Sequence, residues 1–220
     1  MIRRIAFIHT VAALVERFRP RFQAELPGTD CVHMLDESVL QDLMRTGPSP
    51  SITRRIAGLA MLAADAGADL IVFTCSSTSP AIDAARLLVG VPILKIDDPL
   101  YALAAREPGR VGLVCTTSST VEPSRALLAE HAQRSGRAIE TRSVLCAAAF
   151  EALLNGRRDD HDRLVAEAAS GLAPEVDRIV LAQASLAHLA ESLAERLALP
   201  VLASPELMVS EVVARVRAAA

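Results

Sequence analysis

Short apolar runs alternate along this chain with longer segments in which apolar residues recur at helical spacing. A short apolar run bounded by polar or turn-forming residues is typical of a strand that is buried on both faces in a parallel sheet. The first half of the chain has such runs at residues 4–9, 31–35, 69–74 and 92–96. The second half has them at residues 110–115, 138–144, 177–182 and 201–202. The pattern therefore predicts four strands in each half.

The segments between the predicted strands have the pattern of helices. At residues 11–25, for example, Leu14, Phe18 and Phe22 recur at helical spacing. Ser51 and Ser79 are interpreted as helix N-caps. Further helices are predicted at residues 39–44, 51–66, 79 onward, 121–133, 147–154, 162–172, 186–197 and 204 onward. Because strands alternate with helices, we predict an α/β fold in which helices cover both faces of parallel sheets.

The second half of the chain repeats the first. Residues 69–77 align with 177–185, so that Cys75 matches Gln183, and residues 4–10 align with 110–116. We therefore predict two pseudo-symmetric halves, with the active site in the cleft between them. The predicted boundaries are residues 1–98 plus 204–220 for the first half, and residues 99–203 for the second half.

Composition excludes several classes of function. The net charge is −3, both signs are interspersed and aromatic residues are 3%, so nucleic acid is not an expected partner. Acidic residues interrupt the longest apolar stretches, so no membrane-spanning helix is expected. Met1 leads directly into a strand without the apolar region of a signal peptide, and we predict a cytoplasmic protein. The four cysteines lack CxxC spacing and are interpreted as reduced thiols.

Polar loops follow four of the predicted strands. They are residues 9–10, 74–79, 116–120 and 183–185. Ligands of parallel α/β sheets bind beyond the carboxyl ends of the strands, and helix N-termini there attract anions. The expected ligand is therefore a small carboxylate. The chain has neither a glycine-rich phosphate loop nor an HExxH motif, so we predict no cofactor and no metal.

Cys75 is the candidate catalytic residue. It lies after a predicted strand and just before a predicted helix, whose N-terminus would lower the pKa of the thiol. His9 is a second candidate, as an acid or base near neutral pH, and a strand-end histidine bonded to backbone is the alternative. Cys115 follows the matching strand, and the sequence leaves its role open. His33 is a weaker candidate.

Other polar residues are interpreted as structural. His188 is expected within a helix, and His131 and His161 on the surface. The segment 36–38 is either an acidic helix cap or a part of the site, and the sequence does not decide between the two. Cys31 and Cys146 are expected to be inert.

The motifs around these loops resemble those of the aspartate/glutamate/hydantoin racemase superfamily, which includes arylmalonate decarboxylase and maleate isomerase. Residues 111–124 are similar to the strand and Thr-rich loop that begin the second half in that family, and residues 74–78 are similar to its first cysteine motif. Residues 179–185 occupy the place of its second cysteine motif. The resemblance covers the whole chain.

The resemblance implies two catalytic cysteines on opposite faces of the substrate, but Gln183 stands in the place of the second. Glutamine cannot exchange a proton at neutral pH. The resemblance therefore implies a relative that retains only the first cysteine. Racemase, isomerase and decarboxylase reactions all stay open.

We accordingly predict a cofactor-independent enzyme that acts on a small carboxylate through Cys75. The alternative is a non-catalytic small-carboxylate sensor on the same fold. Whether the chain forms a homo-oligomer is open. The predicted substrate-binding residues are Thr10, Ser76, Ser77, Thr116, Thr117, Thr120, Gln183 and Ser185.

Overall fold

The structure, a computed structural model, describes residues 1–219. Within it the chain divides into two compact units. Unit 1 contains Met1–Ile96 and the chain from Met208 onward, and unit 2 contains Asp97–Leu207. Each unit is built on one four-stranded parallel sheet, and helices flank each sheet, which confirms the predicted fold class.

Unit 1 has the strand order β2-β1-β3-β4. Its elements are β1 (Arg4–His9), α1 (Ala12–Glu25), β2 (Asp30–Leu35), α2 (Glu37–Thr46), α3 (Pro50–Asp65), β3 (Leu70–Phe73), α4 (Ser79–Arg86) and β4 (Ile93–Lys95). A 3-10 turn, Ser76–Thr78, joins β3 to α4. Alternate strand residues such as Ile8, Ile71 and Phe73 pack with residues of α2, α3 and α4 in one apolar cluster. The helices thus cover one face of this sheet with aliphatic side chains.

Unit 2 has the matching strand order, β6-β5-β7-β8. Its elements are α5 (Asp98–Ala104), β5 (Gly109–Cys115), α6 (Ser118–Ser135), β6 (Ile139–Leu145), α7 (Ala147–Leu154), α8 (Arg158–Leu172), β7 (Arg178–Leu181), α9 (Ala190–Leu197) and β8 (Val201–Ala203). The last helix, α10 (Ser204–Ala218), begins in unit 2 and ends in unit 1. No helix among residues 1–219 is both long enough and apolar enough to cross a membrane.

The two faces of the unit 2 sheet have separate cores. Leu113 and Val180 pack with residues of α5 and α6 on one face. Val114 and Leu181 pack with residues of α7, α8 and α9 on the other. Because neighbouring residues of a strand point to opposite faces, an apolar run that is buried on both faces follows directly from this layering.

The internal repeat is also visible in the hydrogen bonds. The Asp69 carboxylate accepts hydrogen bonds from the backbone N–H groups of Arg3 and Arg4, at 2.7 and 3.0 Å. In unit 2, the Asp177 carboxylate accepts one from the N–H of Arg110 at 2.7 Å. The aspartate before the third strand of each unit therefore holds the start of the first strand of that unit.

Several predicted helix starts differ from those observed. The helix α3 begins at Pro50 and is capped by Ser49, whose Oγ accepts from Ile52 N at 3.3 Å, so the prediction of Ser51 as its cap was wrong. Proline is favoured in the first turn because it has no N–H to leave unpaired there. Ser79 lies inside α4 and does not cap it. The helix predicted at 186–197 is a 3-10 segment, Ala184–Leu189, followed by α9.

Gly112 in β5 allows α8 to pack closely on the sheet. A Cβ atom at this position would lie 2.7 Å from Leu172 Cδ2 and 3.2 Å from Val176 Cγ2. Gly112→Ala is therefore expected to lower the free energy of unfolding by about 1–3 kcal/mol, the usual cost of overpacking a core. Urea unfolding of the variant measures this change.

Gly171→Ala is the matched control for that substitution. A Cβ atom at Gly171 meets nothing within 4 Å, and the residue lies in α8. Alanine favours helix over glycine, so this control is expected to gain about 0.5–1 kcal/mol. Gly112→Ala with wild-type stability would show that Leu172 and Val176 move aside without cost.

Candidate active site

Cys75 lies at the carboxyl end of β3, in a short polar turn. It precedes the 3-10 turn Ser76–Thr78 and has an extended backbone conformation. Its carbonyl accepts hydrogen bonds from Thr78 Oγ1 at 2.8 Å and from Thr78 N at 3.3 Å. The residue is partly exposed, whereas Ser76 and Thr78 are buried. The turn thus fixes the backbone of Cys75 while the residue keeps access to solvent.

The other three cysteines lie in environments that do not favour a catalytic role. Cys115 is fully buried, and burial together with the charge of Asp97 raises the pKa of its thiol to about 12. Burial and the charge of Asp30 raise the pKa of the Cys31 thiol to about 11. The Cys146 thiol donates to Leu164 O at 3.6 Å. Cys115, whose role the sequence left open, is therefore a neutral thiol at physiological pH.

His9 is buried and belongs to a series of hydrogen bonds that includes Thr74, the residue before Cys75. Its Nδ1 lies 2.8 Å from Thr74 Oγ1, and its Nε2 lies 2.9 Å from His33 Nδ1. Burial lowers the pKa of His9 to about 3, with smaller effects from His33 and Arg19. Burial and Arg19 lower the pKa of His33 to about 4. Both rings are consequently neutral at pH 7.

The donor and the acceptor of each hydrogen bond in this series can be assigned. Thr74 Oγ1 donates to Ile8 O at 3.3 Å, so it accepts from the N–H at Nδ1 of His9. The Nε2 of His9 then accepts from Nδ1 of His33, and Nε2 of His33 is buried without a partner in the described chain. His9 thus joins the ends of β1 and β3 as a neutral imidazole. Its predicted acid–base role stays a prediction.

Thr10 follows β1 at the same edge of the sheet. It is 2% exposed, and its hydroxyl has no hydrogen-bond partner within residues 1–219. A buried hydroxyl without a partner costs about 1–3 kcal/mol, so such groups are uncommon in folded proteins. Thr10 therefore has unused capacity to bind a ligand.

The equivalent loop of unit 2 has no such capacity at Thr116. Gln183 follows β7, and its Oε1 accepts hydrogen bonds from Thr116 N at 2.7 Å and from Thr116 Oγ1 at 2.9 Å. Thr116 is 2% exposed. Both of its donors are thus already bonded within the protein, which the sequence did not indicate.

The start of α6 contains a hydroxyl cluster. Thr117 precedes the helix, and its Oγ1 lies 2.7 Å from Thr120 Oγ1. Ser119 Oγ donates to Thr117 Oγ1 at 3.4 Å. Thr120 is fully buried, and Thr117 is partly exposed. The first N–H groups of this helix have no acceptor further back in the helix, so this end of α6 attracts an anion.

Hydrogen bonds join the loop that contains Gln183 to His188, and through Asp162 to His161. His188 Nδ1 lies 3.0 Å from Ser185 O, and His188 Nε2 lies 2.9 Å from Asp162 Oδ1. His161 Nδ1 lies 2.7 Å from the same carboxylate oxygen. Hydrogen bonds from both histidines help to lower the pKa of Asp162, against the effect of burial. These contacts fix the backbone of Ser185, which is itself exposed.

Two sequence predictions about histidines were wrong. His161 is 1% exposed and His131 is 7% exposed, so neither lies on the surface. The helical spacing could have shown this, because His161 continues the buried stripe of Val165, Ala169 and Leu172 along α8. His131 pairs with Asp98 at 3.4 Å.

Asp36 is a helix cap, which was one of the two readings that the sequence left open. Its carboxylate accepts from Ser38 N at 3.1 Å at the start of α2 and pairs with Arg55 at 2.8 Å. No cluster of His, Cys, Asp and Glu in the described part of the chain is arranged to hold a metal ion.

Comparison with known proteins gives the family. The family model for Asp/Glu/hydantoin racemases matches residues 8–212. Aspartate racemase from Picrophilus torridus shares 12% identity with this chain at a TM-score of 0.72, and the match covers 97% of this chain and 94% of that one. Allantoin racemase from Klebsiella pneumoniae shares 21% at 0.65, covering 98% and 88%. A mutant of arylmalonate decarboxylase shares 21% at 0.55, covering 96% and 92%.

Among proteins with curated descriptions, none is significantly similar to this chain in sequence. At these identities the solved structures show the shared fold, and the family model, which matches nearly the whole chain, identifies the family. The chain belongs to the Asp/Glu/hydantoin racemase family.

Proposed function

We propose that this protein is a cofactor-independent enzyme that acts on a small carboxylate through Cys75. The observation that supports this most directly is the position of Cys75. It is the partly exposed thiol at the carboxyl end of a central parallel strand, where ligands of such sheets bind. Membership of the racemase family favours a reaction at the carbon next to the carboxylate.

The proposed binding groups are donors at the carboxyl ends of both sheets. In unit 1 they are the unused hydroxyl of Thr10 and the turn residues Ser76 and Ser77. In unit 2 they are Thr117, Thr120, Gln183 and Ser185. Such donors stabilise the negative charge that develops when the carbon next to a carboxylate loses a proton or a carboxyl group.

Thr116 does not fit the direct binding role predicted from the sequence as well as Thr10 does. Its N–H and hydroxyl both donate to Gln183. We therefore propose that Thr116 acts on the substrate through Gln183, as a positioning residue.

The thiol of Cys75 could take part in two kinds of reaction. In a decarboxylation, the bond to CO₂ breaks, its electron pair stays on the carbon, and the thiol of Cys75 gives its proton to that carbon; water then reprotonates the thiolate. In a racemisation, Cys75 as thiolate removes the proton and a second group must return one. His9 would have to be that group, and its pKa of about 3 means that its protonated form is scarce at pH 7. The low pKa of His9 thus favours proton delivery from one side, by Cys75.

A non-catalytic carboxylate sensor is the second candidate. The observation that favours it is Gln183, an amide that cannot exchange protons, in the place that matches Cys75. The reaction of Cys75 with iodoacetamide over a range of pH reports the pKa of its thiol, and a lowered pKa would favour the enzyme, because a sensor does not need a reactive thiolate.

The test of the proposal is a screen in deuterated water. Small dicarboxylates, amino acids and hydantoins are incubated with the protein, and label at the carbon next to the carboxylate is followed by NMR. We expect deuterium to enter from one face only, because one thiol delivers the proton. Label that enters from both faces would contradict one-sided delivery, and no labelling or turnover of any compound would favour the sensor.

A further inference from the structure

The orientation of the Gln183 amide is fixed by Thr116. A backbone N–H can only donate, so the atom that faces Thr116 N at 2.7 Å must be the amide oxygen. The Thr116 hydroxyl donates to the same oxygen at 2.9 Å. The amide nitrogen of Gln183 therefore points away from Thr116. Among residues 1–219 no acceptor is bonded to that nitrogen, and Gln183 is partly exposed.

The internal repeat provides a comparison within the same molecule. Thr10 aligns with Thr116, and Cys75 aligns with Gln183. Both threonines are 2% exposed, but the hydroxyl of Thr10 has no partner whereas that of Thr116 is bonded to Gln183. The fold therefore tolerates this threonine without a partner. The bonds between Thr116 and Gln183 are a specific feature of unit 2 and not a requirement of the architecture.

The backbone next to Gln183 is held as well. Two residues further on, the carbonyl of Ser185 is contacted by His188, which is in turn contacted by Asp162 on α8. The amide group and its loop are thus fixed at separate points before any ligand arrives. A donor fixed in this way loses little conformational freedom when it binds.

From these contacts we infer that Gln183 binds an acceptor oxygen of the substrate, a carboxylate or a carbonyl, through its fixed amide nitrogen, and that Thr116 is the residue that positions it. This group cannot accept a hydrogen bond in that orientation, so it selects against an ammonium group at the same place. The inference rests on the proposed function, since it assumes that the loop after β7 faces the substrate. It favours a substrate with a carboxylate or carbonyl oxygen at that place, so a dicarboxylate should bind better than the amino acid that carries an ammonium group there.

Binding measurements with matched probes test this inference. The background is Cys75→Ser, so that chemistry does not disturb the titration. The probes are malonate, succinate and glutarate, each compared with the amino acid of the same carbon number in which a CH₂–NH₃⁺ group replaces one carboxylate: β-alanine, γ-aminobutyrate and 5-aminovalerate. Calorimetry at pH 7 gives the ratio of the two affinities for each pair. We expect the background protein to prefer at least one dicarboxylate over its matched amino acid.

Gln183→Glu is the informative variant, because glutamate can still accept both hydrogen bonds from Thr116 but has no N–H to donate. We expect the preference for the dicarboxylate to fall by at least about 10- to 100-fold, the usual effect of a hydrogen bond to a charged group. The negative charge of the glutamate lowers the ratio further, so the neutral variant Thr116→Val is needed beside it. Thr116→Val, which keeps the backbone bond but loses the hydroxyl, should lower the same ratio by a smaller factor. A ratio of affinities is insensitive to a general loss of stability.

Unchanged ratios in both variants would overturn the inference, as would a background protein that binds no dicarboxylate. The outcome is separable from that of the proposed function. A change of preference in Gln183→Glu together with full turnover in Cys75→Ser would support this inference and overturn the role of Cys75. Loss of turnover in Cys75→Ser together with an unchanged preference in Gln183→Glu would support the role of Cys75 and overturn this inference.

Discussion

Replacing Cys75 by serine is expected to lower kcat by about 10²- to 10⁴-fold, which is the usual contribution of a positioned acid or base. The hydroxyl has nearly the same shape as the thiol but is far less acidic, so neither proton transfer nor attack proceeds at neutral pH. The carbonyl of residue 75 would still accept its hydrogen bonds from Thr78, so the turn should keep its conformation. The measurement is turnover of the substrate that the labelling screen identifies.

Cys146→Ser is the control for this experiment. Cys146 is also partly exposed, and its thiol donates to Leu164 O, a bond that a serine hydroxyl can also make. Turnover should be unchanged in this variant, and circular dichroism and Tm should be unchanged in both. If Cys75→Ser retained wild-type turnover, the assignment of Cys75 would be abandoned.

Acidification from pH 7 to pH 5 is expected to lower the free energy of unfolding by about 2 kcal/mol through His9 alone. This is the value for a histidine that has a pKa near 6.5 in the unfolded chain and stays neutral in the folded protein. The pKa of His9 is lowered to about 3 in the folded state. Between pH 6.5 and pH 3 the unfolded chain therefore binds more protons than the folded one. This contribution to stability is complete above pH 6.5 and is lost as the pH falls. His33, whose pKa is lowered to about 4, acts in the same direction.

Urea unfolding at pH 7, 6 and 5 measures this loss. His9→Gln removes the titrating group, so its stability should depend less on pH than that of the wild type, even if it is lower at every pH. The lowered pKa values of Asp36 and Asp162 affect stability only below about pH 4, the ordinary pKa of a carboxyl group, so they do not contribute in this range. Equal pH dependence in wild type and His9→Gln would contradict the account of a buried neutral pair.

The positions of the candidate residues at the strand ends could be predicted from sequence, but little of their hydrogen bonding could. Cys75 was placed at the carboxyl end of a strand, and it lies there, because an apolar run followed by small polar residues specifies a strand and its end locally. Thr116 was predicted to bind substrate, yet its donors are bonded to Gln183, 67 residues away in the chain. His9 was predicted near neutral pKa, and the structure buries it against His33.

The order of strands and helices, the two-fold repeat and the residues at each strand end could all be predicted from the amino-acid sequence. These depend on hydrophobic periodicity and on alignment of one half with the other, which are properties of neighbouring residues. The tertiary structure decided which polar groups bond to each other and which stay unused, such as the hydroxyl of Thr10 and the amide nitrogen of Gln183. Parallel strands that meet at one edge of a sheet come from distant parts of the chain, so the hydrogen bonds between their ends have no local signature.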